Sequence, residues 1–309
     1  METKIGPKPP APPPVVRGRP ANGGTPAAHS TPKGPSRMTL AGITRGKVVQ
    51  PRRVLGYGHE ASGKSSFGAT SDSPVFLCAE DGTANLNIIR LPEPQTWEEV
   101  FEALNLLRTP ELADRKTLVV DTLDWLEPLV WAEILKRNPK ATSIEEVGGG
   151  WGKGYTAALE EWRKFIAALE RLKRERGMWI VLLAHAHVKN FKNPESDDYD
   201  RWQLKLNEKA SGLFKEWCDE VLFMRLQTYT WKETEKGKAK GVSSGLRIMH
   251  TARTAAYDAK NRCNLPEEID YTNIGWKAYA DAVAANINTD PLANANGTSA
   301  TTETNKEGA

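Results

Sequence analysis

Residues 58–65 read Gly58-His59-Glu60-Ala61-Ser62-Gly63-Lys64-Ser65. They meet the spacing G-x-x-x-x-G-K-[ST] at every fixed position, and no other stretch constrains the fold as tightly. Such a loop wraps its backbone N–H groups around phosphate oxygens. A side chain at its glycines would block that approach or forbid the positive φ the turn requires. The flanks agree. Residues 53–57 read as a short strand entering the loop, and residues 65–69 as the start of a helix, whose N-terminus favours anions. The expected phosphate cradle is Gly58, His59, Glu60, Ala61, Ser62, Gly63, Lys64, Ser65 and Ser66. Lys64 would reach the β- and γ-phosphates of ATP, and Ser65 would bind Mg²⁺.

Three further apolar runs have the length of buried parallel strands: residues 74–79, 118–120 and 179–184. Each ends in a polar group: Glu80-Asp81, Asp121 and His185. Helical spacing separates them, with Trp97, Val100, Phe101, Leu104 and Leu107 on one face, and further helices over 123–136 and 155–176. Strands alternating with helices predict an α/β fold: a mainly parallel sheet flanked by helices, with right-handed crossovers. Ligands of such sheets sit at the strand C-terminal ends, where these polar residues fall. Residues 188–208 are polar, and 227–253 reads as a C-terminal β-hairpin extension with its tip at 236–241.

Asp121 is the expected Mg²⁺ partner of Ser65, with an N-cap as the alternative. Glu80 is the expected base for an attacking water, with Asp81 as runner-up. His185 can sense the γ-phosphate. Cys78, Cys218 and Cys263 stand apart, which fits a reducing cytoplasm and neither a disulfide framework nor a zinc site. No apolar run is long enough to span a membrane, and the N-terminus lacks the apolar stretch of a secretory signal.

Residues 1–38 are rich in Pro, Gly, Ala, Ser and Thr and read as a disordered arm. Residues 286–309 read as a disordered tail, leaving 39–285 as the ordered domain. Net charge is +3 overall, but residues 1–50 hold eight Lys or Arg against one Glu. A basic arm on a mildly acidic body suits a polyanion partner or merely keeps the arm solvated.

The order of these motifs, over about 54–226, resembles the RecA-type recombinase core, a P-loop NTPase fold. It is similar in particular to phage-encoded, single-domain AAA proteins of the Sak type, some of which act in single-strand annealing recombination. The resemblance implies that Glu80 activates water. It also implies that the residue at His185, usually glutamine in the family, couples the γ-phosphate to a DNA-binding loop. Residues 187–209 and 138–154 fall where the family's two DNA loops lie. The implied contacts are Trp151, Lys153, Lys189, Phe191, Lys192, Arg201, Trp202 and Lys205. Ala259-Lys260-Asn261-Arg262 resembles the Lys-x-Arg motif by which RadA-like relatives reach a neighbour's γ-phosphate. Lys260 and Arg262 would then act in trans, and the protein would be a homo-oligomer. The implied function is ATP-dependent binding of single-stranded DNA in recombination, with a single-strand-binding protein as a further partner. The competing expectations are a helicase-like motor or helicase loader, and a nucleotide-gated module with little turnover.

Overall fold

The computed structural model describes residues 38–43, 48, 50–231 and 240–287. Of the expected arm (1–38), hairpin tip (236–241) and tail (286–309), residues 1–37, 236–239 and 288–309 lie outside them, whereas Lys240 and Gly241 lie in a strand and Asn286 and Ile287 in a helix. The chain divides after residue 46 into two units. Of the first unit, residues 38–43 are described, and Leu40–Gly42 form a single 3-10 turn. The second unit carries every other element.

That unit is an α/β sandwich. Its strands are β1 (Arg53–Gly58), β2 (Pro74–Cys78), β3 (Ile89–Arg90), β4 (Thr117–Asp121), β5 (Trp179–Phe191), β6 (Tyr199–Leu204), β7 (Glu220–Trp231), β8 (Lys240–His250) and β9 (Glu268–Asp270). Its helices are α1 (Lys64–Ala69), α2 (Trp97–Leu106), α3 (Leu123–Arg137), α4 (Lys153–Arg176), α5 (Glu208–Trp217) and α6 (Trp276–Ile287). The sheet runs β3-β2-β4-β5-β1-β7-β8-β9. It is parallel from β3 to β7 and antiparallel from β7 to β9. This is the expected architecture, C-terminal antiparallel strands included.

Side-chain alternation sorts the strands into two cores. Leu55, Leu118, Val120, Ile180 and Leu182 face α2, α3 and α4. Val54, Val119, Val181 and Leu183 face α1 and α6, where Phe67, Trp276 and Tyr279 cluster. α4 buries Trp162, Phe165, Leu169 and Leu172 at helical spacing and ends at Gly177, whose φ of 63° makes a left-handed cap. Burying one large aromatic or aliphatic side chain contributes about 1.5–3 kcal/mol, so this stripe is what holds α4 on the sheet.

One implication of the resemblance fails. Residues 187–209 are not a simple loop. β5 runs unbroken to Phe191, and β6 folds back on it, pairing Ala186 with Leu204 and Phe191 with Tyr199. The acids in 195–200 had masked the alternation of two exposed strands. The first half of β5 is buried in the sheet, and the second half projects past its C-terminal edge.

Candidate active site

Parallel pairing brings the four strand ends to one edge. Gly58 lies opposite His185, and Cys78 opposite Asp121. A Cβ on Gly58 would sit 1.9 Å from the Met224 carbonyl oxygen, so no other residue fits there. Gly63 has φ 90°, and a Cβ on it would meet Arg247 Cδ at 2.9 Å. Within the loop, Ser62 Oγ donates to His59 O at 2.8 Å. From outside, Tyr271 Oη donates to Ser62 O at 2.5 Å and ties the loop to the segment after β9. Lys64 closes the ring by donating to Gly58 O (3.2 Å) and His59 O (3.0 Å). Burial lowers its pKa, and Asp121, Asp124 and Glu80 act against that shift.

Asp121 is 1 % exposed, and neither carboxylate oxygen has a hydrogen-bond partner. Burial raises its pKa, while the Ser65 hydroxyl and the Lys64 ammonium beside it pull the other way. Buried carboxylate oxygens are ordinarily hydrogen-bonded or bound to a metal. With the Ser65 hydroxyl, Asp121 forms a hard oxygen donor pair, which fits Mg²⁺.

Glu80 and His185 line the same cleft, about 340 Å³ in volume, with Lys64, Ser65 and Arg247. Burial raises the Glu80 pKa, and His185 draws it back down. A carboxylate raised toward neutrality is a stronger base than a solvated one. Asp81 is exposed and does not line the cleft. His185 is held by Asp124, whose two oxygens accept from the His185 backbone N (2.9 Å) and Nδ1 (2.8 Å). That bond raises the His185 pKa. One turn along α3, both oxygens of buried Glu127 accept from Asn207 N at 3.1 Å. Asn207 caps α5 just after the β5–β6 hairpin. Two carboxylates on α3 thus grip the chain on either side of that hairpin.

Sequence reasoning did not pick out Asp124, Glu127, Arg247 or Tyr271. Asp124 stands three residues after Asp121, in the first turn of a helix, and that signal was available. Arg247 and Tyr271 reach the loop only through the pairing of β8 with β7 and β9, which no local pattern announces.

The expected DNA contacts divide. Trp151 is 97 % exposed on a glycine-rich turn with φ 58°. Lys153, Lys189, Lys192 and Lys205 are exposed, and Lys192 pairs with Asp198 at the hairpin turn. Phe191 packs on Tyr199 and lies over Arg201. Arg201 does not track solvent. It is 3 % exposed and donates to Asp258 at 2.8 Å. Trp202 is half-buried between His59 and Phe223, with its backbone N bonded to Ala256 O. Pairing of 199–204 with β5 turns both side chains toward residues 254–258 or the loop, which the resemblance alone does not reveal.

Lys260 is also corrected. Its ammonium donates to three carbonyls at the end of α5, Lys215 O (3.0 Å), Glu216 O (2.8 Å) and Cys218 O (2.7 Å). All three protons are used, and the residue is a C-terminal helix cap. Arg262 pairs with Asp219 at 3.1 Å and stays half-exposed. Both lie beside the N-terminal end of β7, where Val221 bridges Lys260, away from the cleft lined by Lys64 and His185.

A family model described as an AAA domain matches residues 50–263. A search of curated proteins finds no match. Among solved structures, the crystal structure of the RadB recombinase is similar at 15 % identity and a TM-score of 0.40, over 73 % of this chain and 90 % of that one. No helix among the described residues is long and apolar enough to cross a membrane.

Proposed function

Because the chain belongs to the AAA domain family, we propose that it is a Mg²⁺-dependent ATPase of RecA type. On this reading it acts as a homo-oligomer on single-stranded DNA, in recombination of the phage Sak kind, in the host cytoplasm. The observation that carries the catalytic part is Asp121, buried beside Ser65 and Lys64 with both oxygens unpartnered. Ser65 and Asp121 would hold Mg²⁺, which supplies charge neutralisation at the phosphate oxygens. The loop N–H groups and Lys64 bind and orient the phosphates. Glu80 takes the proton of the attacking water. His185, fixed by Asp124, donates from its free side toward the γ-phosphate position.

The DNA part rests on β5. The strand that ends the cleft at His185 is the same strand that forms the hairpin, and Lys205 N donates to His185 O across it at 2.8 Å. Trp151, Lys153, Lys189, Lys192 and Lys205 are the exposed groups for stacking and for phosphates. The in-trans role is kept for Arg262 alone.

Steady-state ATP hydrolysis, with and without single-stranded DNA, tests the reading. DNA should stimulate turnover. Lys64→Ala should abolish it. Glu80→Gln should still bind ATP while hydrolysing roughly 10²–10⁴-fold more slowly, the range for losing a positioned base. Normal hydrolysis by Glu80→Gln together with loss in Asp81→Asn would transfer the role to Asp81. A DNA-independent rate would remove the coupling.

A further inference from the structure

A second cavity, about 660 Å³, lies between the β5–β6 hairpin, α5 and residues 253–260. Its size is within the range of about 300–1,000 Å³ typical of small-ligand sites. Buried Arg201 forms part of its wall. Arg201 Nη2 donates to Thr254 O (3.3 Å) and Asp258 Oδ1 (2.8 Å), but its Nε is buried without a partner. Lys215 Nζ donates to the other Asp258 oxygen at 2.8 Å, and Arg253 Nε lies 3.4 Å from Oδ1. Three cations therefore share one carboxylate. The other charges lining the cavity are Lys260, whose protons are committed to carbonyls, and Glu208 and Glu216, both exposed. Glu208 lies 3.8 Å from Lys189 on the hairpin. Phe191 covers Arg201, with the guanidinium 5.0 Å from the ring centroid.

Resting on the single-stranded-DNA reading above, we propose that this cavity is a nucleotide subsite. Lys215 and Arg253 accept a phosphodiester over the Arg201–Asp258 pair, and the adjoining base lies against Phe191. Three cations around one half-buried carboxylate leave Lys215 and Arg253 able to share an incoming phosphate. The ring supplies the sequence-tolerant stacking surface that a nucleobase uses and an acidic peptide does not. The Gln203 amide also lines the cavity and can meet a base edge.

The test is fluorescence anisotropy of a labelled oligothymidylate on the full-length protein, across a salt series, with a non-hydrolysable ATP analogue. The side chains of Lys215 and Arg253 are 28 % and 65 % exposed, and thermal melting checks that each variant keeps the fold. Lys215→Ala and Arg253→Ala should each weaken binding several-fold. Each should also flatten the slope of log K against log salt by about 0.7, the contribution of one single-strand phosphate. Phe191→Ala should weaken binding at unchanged slope. A Lys215→Ala/Arg253→Ala double variant with wild-type affinity and slope would overturn the subsite. If Trp151→Ala or Lys189→Ala then weakens binding, the broader DNA reading survives that loss. A wild-type protein that does not bind the oligonucleotide ends both. Displacement of the oligonucleotide by poly-glutamate of equal charge, at equal concentration, would show a general polyanion site and overturn the stacked base.

Discussion

Asp124 holds His185 at two points, through its backbone N–H and through Nδ1–H. The first contact fixes where β5 leaves the sheet, and the second fixes the ring and its tautomer. The His185 pKa is raised by this partner, and that of Asp124 is lowered by the hydrogen bonds from His185. The stabilisation from the raised imidazole is full below its unfolded value and lost as pH rises through its folded one. That from Asp124 is lost as pH falls through its own depressed value. Asp124→Asn keeps the shape and removes the charge. The His185 titration midpoint, followed by NMR, should fall, and kcat for ATP should drop with KM little changed. An unmoved midpoint would show that the bond has no electrostatic part.

Arg247 presents its guanidinium to the cleft beside Gly63, and no described residue pairs with it. A cation in that place is suited to phosphate oxygens. Arg247→Ala should raise KM for ATP by roughly 10–100-fold, from the loss of a charged hydrogen bond of about 1.5–3 kcal/mol. Arg247→Lys should recover part of the loss. A wild-type KM in the alanine variant would leave Arg247 as a packing residue for the loop.

The cleft was legible in the sequence where it is built from strand ends. Lys64, Ser65, Glu80, Asp121 and His185 each close an apolar run or follow the loop, and the parallel sheet brings these points together. What was not legible came from pairing at long range. Arg201 became a buried partner of Asp258 once β6 folded back on β5, and Lys260 became a cap because the chain returns beside β7 after residue 250. Side-chain type alone does not tell a free cation from one already satisfied.

The mixing of two inactive subunits tests the in-trans reading. Arg262→Ala should bind ATP normally but hydrolyse poorly, and Lys64→Ala should lack only its own loop. Mixed under subunit exchange, the two should regain part of the activity, because some interfaces pair an intact loop with an intact Arg262. Full activity of Arg262→Ala alone would assign it to the Asp219 ion pair only. Lys260→Ala, by contrast, should lower stability by about 1–2 kcal/mol in chemical denaturation, as expected for a lost charged cap.

Glu127 gives the fold its own pH dependence. Burial raises its pKa from near 4.5 to about 7, opposed by the bond from Asn207. The folded chain therefore holds a proton that the unfolded chain releases. Stability should fall as pH rises from 4.5 to about 7, at a limiting slope of about 1.4 kcal/mol per pH unit, and this contribution should be level outside that window. Glu127→Gln keeps an acceptor for Asn207 and cannot ionise. It should match the wild type in thermal melting at pH 4.5 and exceed it at pH 8. Equal melting temperatures at both would mean that the carboxylate is not desolvated.

β5 is a single strand of 13 residues that crosses from the core to the hairpin turn without a break. From His185 to Phe191 it extends about 20 Å, at about 3.3 Å per residue. A strand of that length turns a small angle at its base into a longer arc at its end. A tilt of about 10° at His185 carries the far end through roughly 3 Å, about the length of one hydrogen bond. Asp124 and Glu127 hold the chain at the cleft end, and Arg201 on Asp258 and Trp202 N on Ala256 O hold it at the hairpin, so any shift of β5 at His185 has to carry residues 254–258 with it.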